Sequence, residues 1–350
     1  MGMSVASNTR GMVPDPANAF RNGAIDFTKG ALVLFMVLYH WLNYFIGVSG
    51  RYYDYLRFLT PSFIFLSGFM VSQIHLKRYN GPGSRLARRL TVRGVKLIGI
   101  FVFLNVLIDA FFPRSLHRYV GIRSNIHALC DSLVVADTVA GVGYKGASFS
   151  MLVPIAYLLI LSAALISFTT RHRQIFLSVL LALITVRSAL YLGGIRSSYV
   201  DLLMVGVFGV VVGFAGKDRV TLITRRPGAL ALLYLCYLAV ITLWRVSFLL
   251  QVLSVFVTTA LLYSVGSAVP NSASQRLIAL LGKYSLLGYI SQIAILQLLR
   301  RVGWFQLHGT CGLLTSFVLG LILTLLVVKI TDIITRRSST ANSLYRLIFA

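Results

Sequence analysis

A chain of 350 residues, 57% hydrophobic and only 12% charged, does not read as a soluble domain, because apolar runs of that density belong in a bilayer. Its 33 Lys and Arg stand against nine acids, all of them Asp, for a net charge of +24. These basic residues lie between apolar runs and not on one polar face, so topology and anionic lipid account for them and a nucleic-acid partner does not.

Taken in order, the first 20 residues are polar and irregular. They carry no apolar core ahead of a small-residue cleavage site and so form no secretory signal. Apolar runs of about 17–24 residues then predict ten membrane helices, near 30–48, 58–76, 95–112, 149–168, 174–192, 199–215, 228–244, 246–266, 284–299 and 311–334. The seventh and eighth meet at Arg245 as a tight hairpin, and the short ninth has room to begin near Leu277. With this division, 20 Lys and Arg fall on the side of the N-terminus, 10 on the other and three (Lys96, Arg187 and Lys329) within spans. The positive-inside rule then places both termini in the cytoplasm. The segment 129–143 is apolar enough to be counted as an eleventh span, but doing so leaves 14 basic residues inside and 16 outside. It is assigned instead to a long external connection, Pro113–Ser148. The expected organisation is an all-α, polytopic membrane domain over 30–334, with cytoplasmic segments at 1–29 and 335–350. Neither an internal repeat nor a pair of broken helices is visible. Gly206, Gly209, Gly213 and Gly216 form a small-residue face that helix packing explains. Cys130, Cys236 and Cys311 lie far apart without a CxxC pair, so neither a disulfide framework nor a metal site is expected.

The chemistry concentrates near the N-terminus. The stretch from Asp26 to Trp41 opens with Asp26, Thr28 and Lys29 and carries His40 inside the apolar run that follows. In a helix, Lys29 and His40 are about 16 Å apart along the axis and within about 20° of one face. An ionisable group in mid-span costs about 3 kcal/mol on insertion scales and marks a functional position by default. The second span, from Phe58 to Ser72, adds Pro61, Ser62, Ser67 and Gly68, which offer a helix break and small polar groups at close approach, although a simple kink would look the same. Before the third span, Arg85, Arg88 and Arg89 cluster. Guanidinium forks suit phosphate, and lipid headgroups would be held as well. The fourth feature is LGKYSLLGYISQ, residues 281–292. His75 and His172 fall at cytoplasmic helix ends and His117, His127 and His308 in external loops, where solvation explains them. Tyr44, one turn beyond His40, lines an acceptor site or anchors the interface. Asp109 and Asp201 are the carboxylates that could orient the imidazole.

In this order the features resemble acyltransferase family 3, chiefly over residues 20–95. The family's Asp, basic residue and His are matched by Asp26, Lys29 and His40. Its Pro-x-Phe-x-Phe-x-Ser-Gly run is matched by Pro61, Phe63, Phe65, Ser67 and Gly68, and its Arg-x-x-Arg by Arg85 and Arg88. A terminal Leu-Gly-x-x-Ser-Tyr-x-x-Tyr-Leu-x-His run is echoed by Leu281, Gly282, Ser285 and Tyr289, but Gln292 stands where the histidine would. Periplasmic glucan succinyltransferases and heparan glucosaminide N-acetyltransferases look similar in layout. The resemblance implies transfer of an acyl group, usually acetyl, from cytoplasmic acyl-CoA, a co-substrate and not a resident cofactor, to a carbohydrate or glycolipid acceptor in a bacterial inner membrane. In that reading His40 is the base or acyl acceptor, and Lys29, Arg85, Arg88 and Arg89 hold the CoA phosphates. Asp26, Ser67 and Gly68 support the site. A transporter or exporter of a lipid-linked or acylated saccharide is the alternative of a different class.

Overall fold

The first helix, α1 (Gly23–Trp41), starts a full turn and more before the apolar run, because Asn22 caps it by accepting from the Ala24 amide at 3.0 Å. Side-chain capping satisfies a donor that would otherwise be orphaned in the first turn. Asp26 and Lys29 therefore lie inside the helix and not in a segment that precedes it. The structure, a computed structural model, describes residues 22–47, 52–76, 83–111, 149–195, 197–244, 247–268, 272–302 and 309–349. The connection Pro113–Ser148, including 129–143, lies outside the described residues.

Among the described residues all regular structure is helical. A π-helical turn, Leu42–Ile46, follows α1, then α2 (Tyr52–Leu56) and α3 (Leu59–Met70), which also ends in a π-helical turn, Val71–Leu76. Next come α4 (Gly83–Phe111), α5 (Leu152–Phe168), α6 (His172–Leu192), α7 (Ser198–Gly213), the short α8 (Gly216–Thr224), α9 (Pro227–Leu243) and α10 (Phe248–Ala268). The chain closes with α11 (Ala273–Lys283), α12 (Ser285–Val302), α13 (Gly309–Arg337) and α14 (Ser339–Phe349). Six stretches are long and apolar enough to cross a bilayer: Gly23–Ile46, Tyr53–Leu76, Gly83–Leu107, α6, α10 and α13. α11 and α12 add a seventh if their bent pair is one span, and α5, α7 and α9 are shorter apolar helices. The chain is thus a helical membrane protein.

Burial sorts these helices by position. The spans Gly23–Ile46 and Tyr53–Leu76 are each 61% buried over their most apolar window, against 6% for α6. The first two form the centre, and α6 turns Leu181 and Leu192 outward, as a lipid-facing helix should. α1 packs against α3, α10, α11, α12 and α13. Close approach depends on glycine at two seams. A methyl at Gly30 would collide with the Ile278 carbonyl, and one at Gly282 with the Asp26 carbonyl, so α1 and α11 meet backbone to backbone. On α3 and α7, Gly68 meets the Gly206 carbonyl and Gly209 the Phe65 carbonyl. Small residues at such seams let membrane helices gain dispersion and Cα–H···O contacts. Gly216 belongs to no such face. It has φ +85° and faces open space at the start of α8.

The break that Pro61 offers lies one turn before it, between α2 and α3, where the Arg57 carbonyl left free by its missing N–H accepts from Gln251 Nε2 at 3.2 Å. One sequence expectation needs correcting. The ninth span, 284–299, falls on α12, but a start near Leu277 would cross a bend, since α11 and α12 meet at 88°, a broken pair where none was visible in the sequence. Tyr284 sits at the bend, almost wholly buried, and donates to Asp332 at 2.9 Å. Lys283 and Arg336 pair with the same carboxylate at 2.9 and 2.8 Å. The segment after 335 is helical. α13 runs to Arg337, and Tyr345 of α14 packs its ring 5.0 Å from that of Tyr284.

Candidate active site

The long first turns of α4 carry the basic residues forward. Because this helix starts at Gly83 and not near residue 95, Arg85, Arg88, Arg89, Arg93 and Lys96 recur at helical spacing along one side. Together with Val92 they line an open cleft of about 320 Å³. A helix whose cations lie near its end in the membrane can keep their heads wet by snorkelling. Five cations along one face of a single helix repel one another, a charge density that phosphate, a lipid headgroup or water can meet.

A second cavity, a chamber of about 110 Å³, lies among α1, α3, α4, α5 and α12. Its wall is largely apolar, with Phe63, Leu66, Leu97, Leu152 and Ile155 among its residues. Its polar groups are Lys29, Ser67, His75, Arg93, Ser285 and Tyr289. Arg93 is shared by the cleft and the chamber and so stands at the boundary between an exposed cationic surface and a buried apolar pocket. Ser285 and Leu286 bring the first turn of α12 to the wall, where backbone N–H groups and the helix dipole favour negative charge. That turn is present there because α11 and α12 are broken at Tyr284.

Lys29 is held by Asp26 at 2.9 Å, one turn earlier, with side chains only 17% and 11% exposed. It lines the chamber and not the cleft, so the structure separates it from Arg85, Arg88 and Arg89, with which the sequence grouped it. Ser67 donates to the Phe63 carbonyl at 2.8 Å and still reaches the chamber wall. Gly68 faces α7 and is a packing residue.

His40 sits beyond Tyr289 from the chamber. Its ring lies 6.0 Å from that of Tyr289, 5.3 Å from Tyr39 and 6.2 Å from Tyr44, the last nearly parallel. Its Nε2 is buried and has no hydrogen-bond partner among the described residues. The expected carboxylate partner is not Asp201, which pairs with Arg187 at 2.7 Å. The Asp109 side chain lies outside the described residues. Asp26, Asp54 and Asp332 are each committed to a cation, so among the described residues the neighbours of this imidazole are the aromatic rings. Both π-helical turns fall at the site. One follows His40 and carries Tyr44, and the other carries His75. Such turns recur at functional positions.

Sequence reasoning missed two wall residues. His75 was assigned to solvent at a helix end but lines the chamber. Arg93 was passed over within its basic run, although its spacing from Arg89 is one helical turn and would have placed it on the same face. Among the described residues no group of three His, Cys or Asp side chains is placed to hold a metal ion. No family model, curated protein or solved structure matches the chain.

Proposed function

We propose that this chain is a membrane acyltransferase that moves an acyl group from cytoplasmic acyl-CoA to a hydroxyl of a carbohydrate or glycolipid at or across the membrane, as its resemblance to acyltransferase family 3 implies. The observation that carries the reading is Arg93, common to a five-cation cleft and to an apolar chamber whose far wall, Tyr289, touches His40. The cleft suits the CoA phosphates, with Arg85, Arg88, Arg89 and Arg93 as forks, and the chamber suits the thioester end. In the direct route, Nε2 of His40 takes the proton of the acceptor hydroxyl as its oxygen attacks the thioester carbonyl. The carbon–sulfur bond then breaks, and the imidazolium returns the proton to the departing thiolate. In the two-step route the imidazole itself takes the acyl group first. The ten-span arrangement with both termini cytoplasmic belongs to this proposal. It puts the cleft on the side where acyl-CoA is made, and it rests on the distribution of basic residues.

The test is binding and turnover of acetyl-CoA by the purified full-length chain in detergent or liposomes, with a panel of saccharide acceptors. Saturable acetyl-CoA binding and acceptor-dependent release of CoA support the reading, and neither being detectable refutes it. A second reading, transport of a lipid-linked or acylated saccharide, is favoured by the 88° break between α11 and α12, whose first turn lines the chamber. Broken helices of that kind form transporter sites. Uptake or efflux of saccharide without consumption of acyl-CoA would support it.

A further inference from the structure

Gln292 is 0% exposed, and neither its Oε1 nor its Nε2 has a hydrogen-bond partner among the described residues. A buried carboxamide is seldom left with both ends unpaired, since each end gives up water on folding. The neighbourhood shows what it lacks. On α12, Tyr289 lies three residues before Gln292 and meets the His40 ring, while Gln297, five residues after it, donates to the Tyr44 hydroxyl at 3.1 Å. Tyr44 in turn stacks on His40. Gln292 lies between these two contacts in sequence, on a helix that packs against α1, and Nε2 of His40 is also buried without a partner.

We propose that His40 and Gln292 form a polar site between α1 and α12 for a neutral hydroxyl-bearing ligand, adjoining the chamber at Tyr289, which lines the chamber and meets the His40 ring. The chemistry selects the ligand class. A carboxamide offers one acceptor and a pair of donors, and an imidazole adds an acceptor or a donor, which together match the two-way hydrogen bonding of neighbouring hydroxyls. An ammonium group would need a carboxylate, and the described carboxylates are all paired elsewhere. An anion would need a cation, and the rings around His40 are Tyr39, Tyr44 and Tyr289. The site therefore favours hydroxyl over amine or phosphate. This inference rests on the acyltransfer reading, in which it is the acceptor's place. Gln292 is then a positioning and specificity residue, where the family resemblance led one to expect histidine.

The experiment titrates full-length protein in detergent with methyl glucopyranoside, with its 2-amino-2-deoxy counterpart and with inorganic phosphate, following the thermal midpoint and tryptophan fluorescence. The uncharged glycoside is expected to bind at least tenfold more tightly than the other two. Gln292→Leu should raise the midpoint of the unliganded protein, because an unpaired polar group is removed, and lower glycoside affinity at least tenfold. Gln292→Met, close in length and shape, serves if the leucine variant does not fold. Equal glycoside affinity in wild type and variant overturns the proposal. So does a wild type that binds no glycoside, in which case the site holds water only. Acetyl-CoA titrated into the same samples separates the two readings. Its binding without any glycoside effect sinks this inference alone, and its failure to bind wild type sinks the acyltransfer reading.

Discussion

The Tyr289 ring lies 6.0 Å from that of His40, while the same side chain forms part of the wall of the chamber that contains Lys29. One residue thus contacts both halves of the candidate site. Lys29 and His40, both on α1, are joined through α12, a helix from the other end of the sequence. This relationship gives the site its depth. The basic cleft is open, the chamber is less open and mostly apolar, and the imidazole meets the chamber through a tyrosine. Such a gradient suits a ligand with a charged outer end and an apolar inner one.

The cleft yields the first prediction. Arg88→Ala and Arg93→Ala each remove a fork from the proposed phosphate site, but Arg93 also borders the chamber. Arg88→Ala should weaken acetyl-CoA binding by about 1.5–3 kcal/mol, the scale of a charge-assisted hydrogen bond, and free phosphate or adenosine bisphosphate should lose as much. Arg93→Ala should weaken acetyl-CoA binding more than it weakens the bisphosphate, because it also touches the thioester end. Isothermal titration of both ligands into both variants reads the difference. Equal affinity for acetyl-CoA in wild type, Arg85→Ala and Arg88→Ala would remove the phosphate assignment.

The seam between α1 and α11 yields the second. Gly282 lies against the Asp26 backbone, and Gly30 against that of Ile278. An added methyl at either cannot be relieved by turning a side chain. Gly282→Ala should destabilise by about 1–3 kcal/mol, the usual cost of overpacking, and should shift Asp26 and Lys29 with the helix. A lower melting temperature together with weaker acetyl-CoA binding is expected. Gly228→Ala, at a position with open space, is the control and should melt as wild type does.

How much of this could be read from residues alone follows from what each feature depends on. The apolar runs fall on helices because burial of backbone polar groups in lipid leaves few other options. The Lys29–His40 pair follows from helical periodicity within a single segment, and the Asp26–Lys29 ion pair from i,i+3 spacing. The bend at Tyr284 was hidden, since nothing in LGKYSLLGYISQ breaks a helix as a proline would. Its causes are distant in sequence: a carboxylate on α13 that gathers Lys283, Tyr284 and Arg336, and a glycine seam to α1. Arg93 and His75 escaped notice for a related reason. Hydropathy starts the third span at 95 and ends the second at 76, so both residues look like interface. α4 begins twelve residues earlier, and the π-helical turn at Val71–Leu76 carries His75 on to the chamber wall.

Asp332 carries the third prediction. It is 6% exposed and accepts from Lys283 and Tyr284 while pairing with Arg336. Asparagine keeps one acceptor oxygen but removes the charge that Lys283 and Arg336 share and puts a donor in place of the other oxygen. Asp332→Asn should cost about 2–3 kcal/mol, near the upper range for hydrogen bonds to a charged group, and should loosen the angle between α11 and α12. The measurement is the thermal midpoint in detergent, with cysteine accessibility at Ser285 introduced as Ser285→Cys. An unchanged midpoint and unchanged labelling would mean that the bend is set by the glycine seam alone.

The last prediction concerns His40, whose buried, unpartnered Nε2 is the feature least explained by packing. A leucine in its place would fill a similar volume and leave no polar atom to satisfy. If the imidazole only packs the bundle, His40→Leu should keep or raise the melting temperature and leave turnover per folded molecule unaltered. If it is the general base, the same change should leave acetyl-CoA binding in place and slow transfer about 10²–10⁴-fold. An acyl-histidine route should lose at least as much. It should also leave labelled acetyl on wild-type protein before any acceptor is added, and none on the variant. Tyr289→Phe separates orientation from chemistry, because it keeps the ring that contacts His40 and removes only a hydroxyl. Its transfer rate should stay within about tenfold of wild type, well short of the loss expected for a general base. A His40→Leu protein that transfers acetyl at the wild-type rate would end the mechanism offered here, whatever else the cleft and chamber bind.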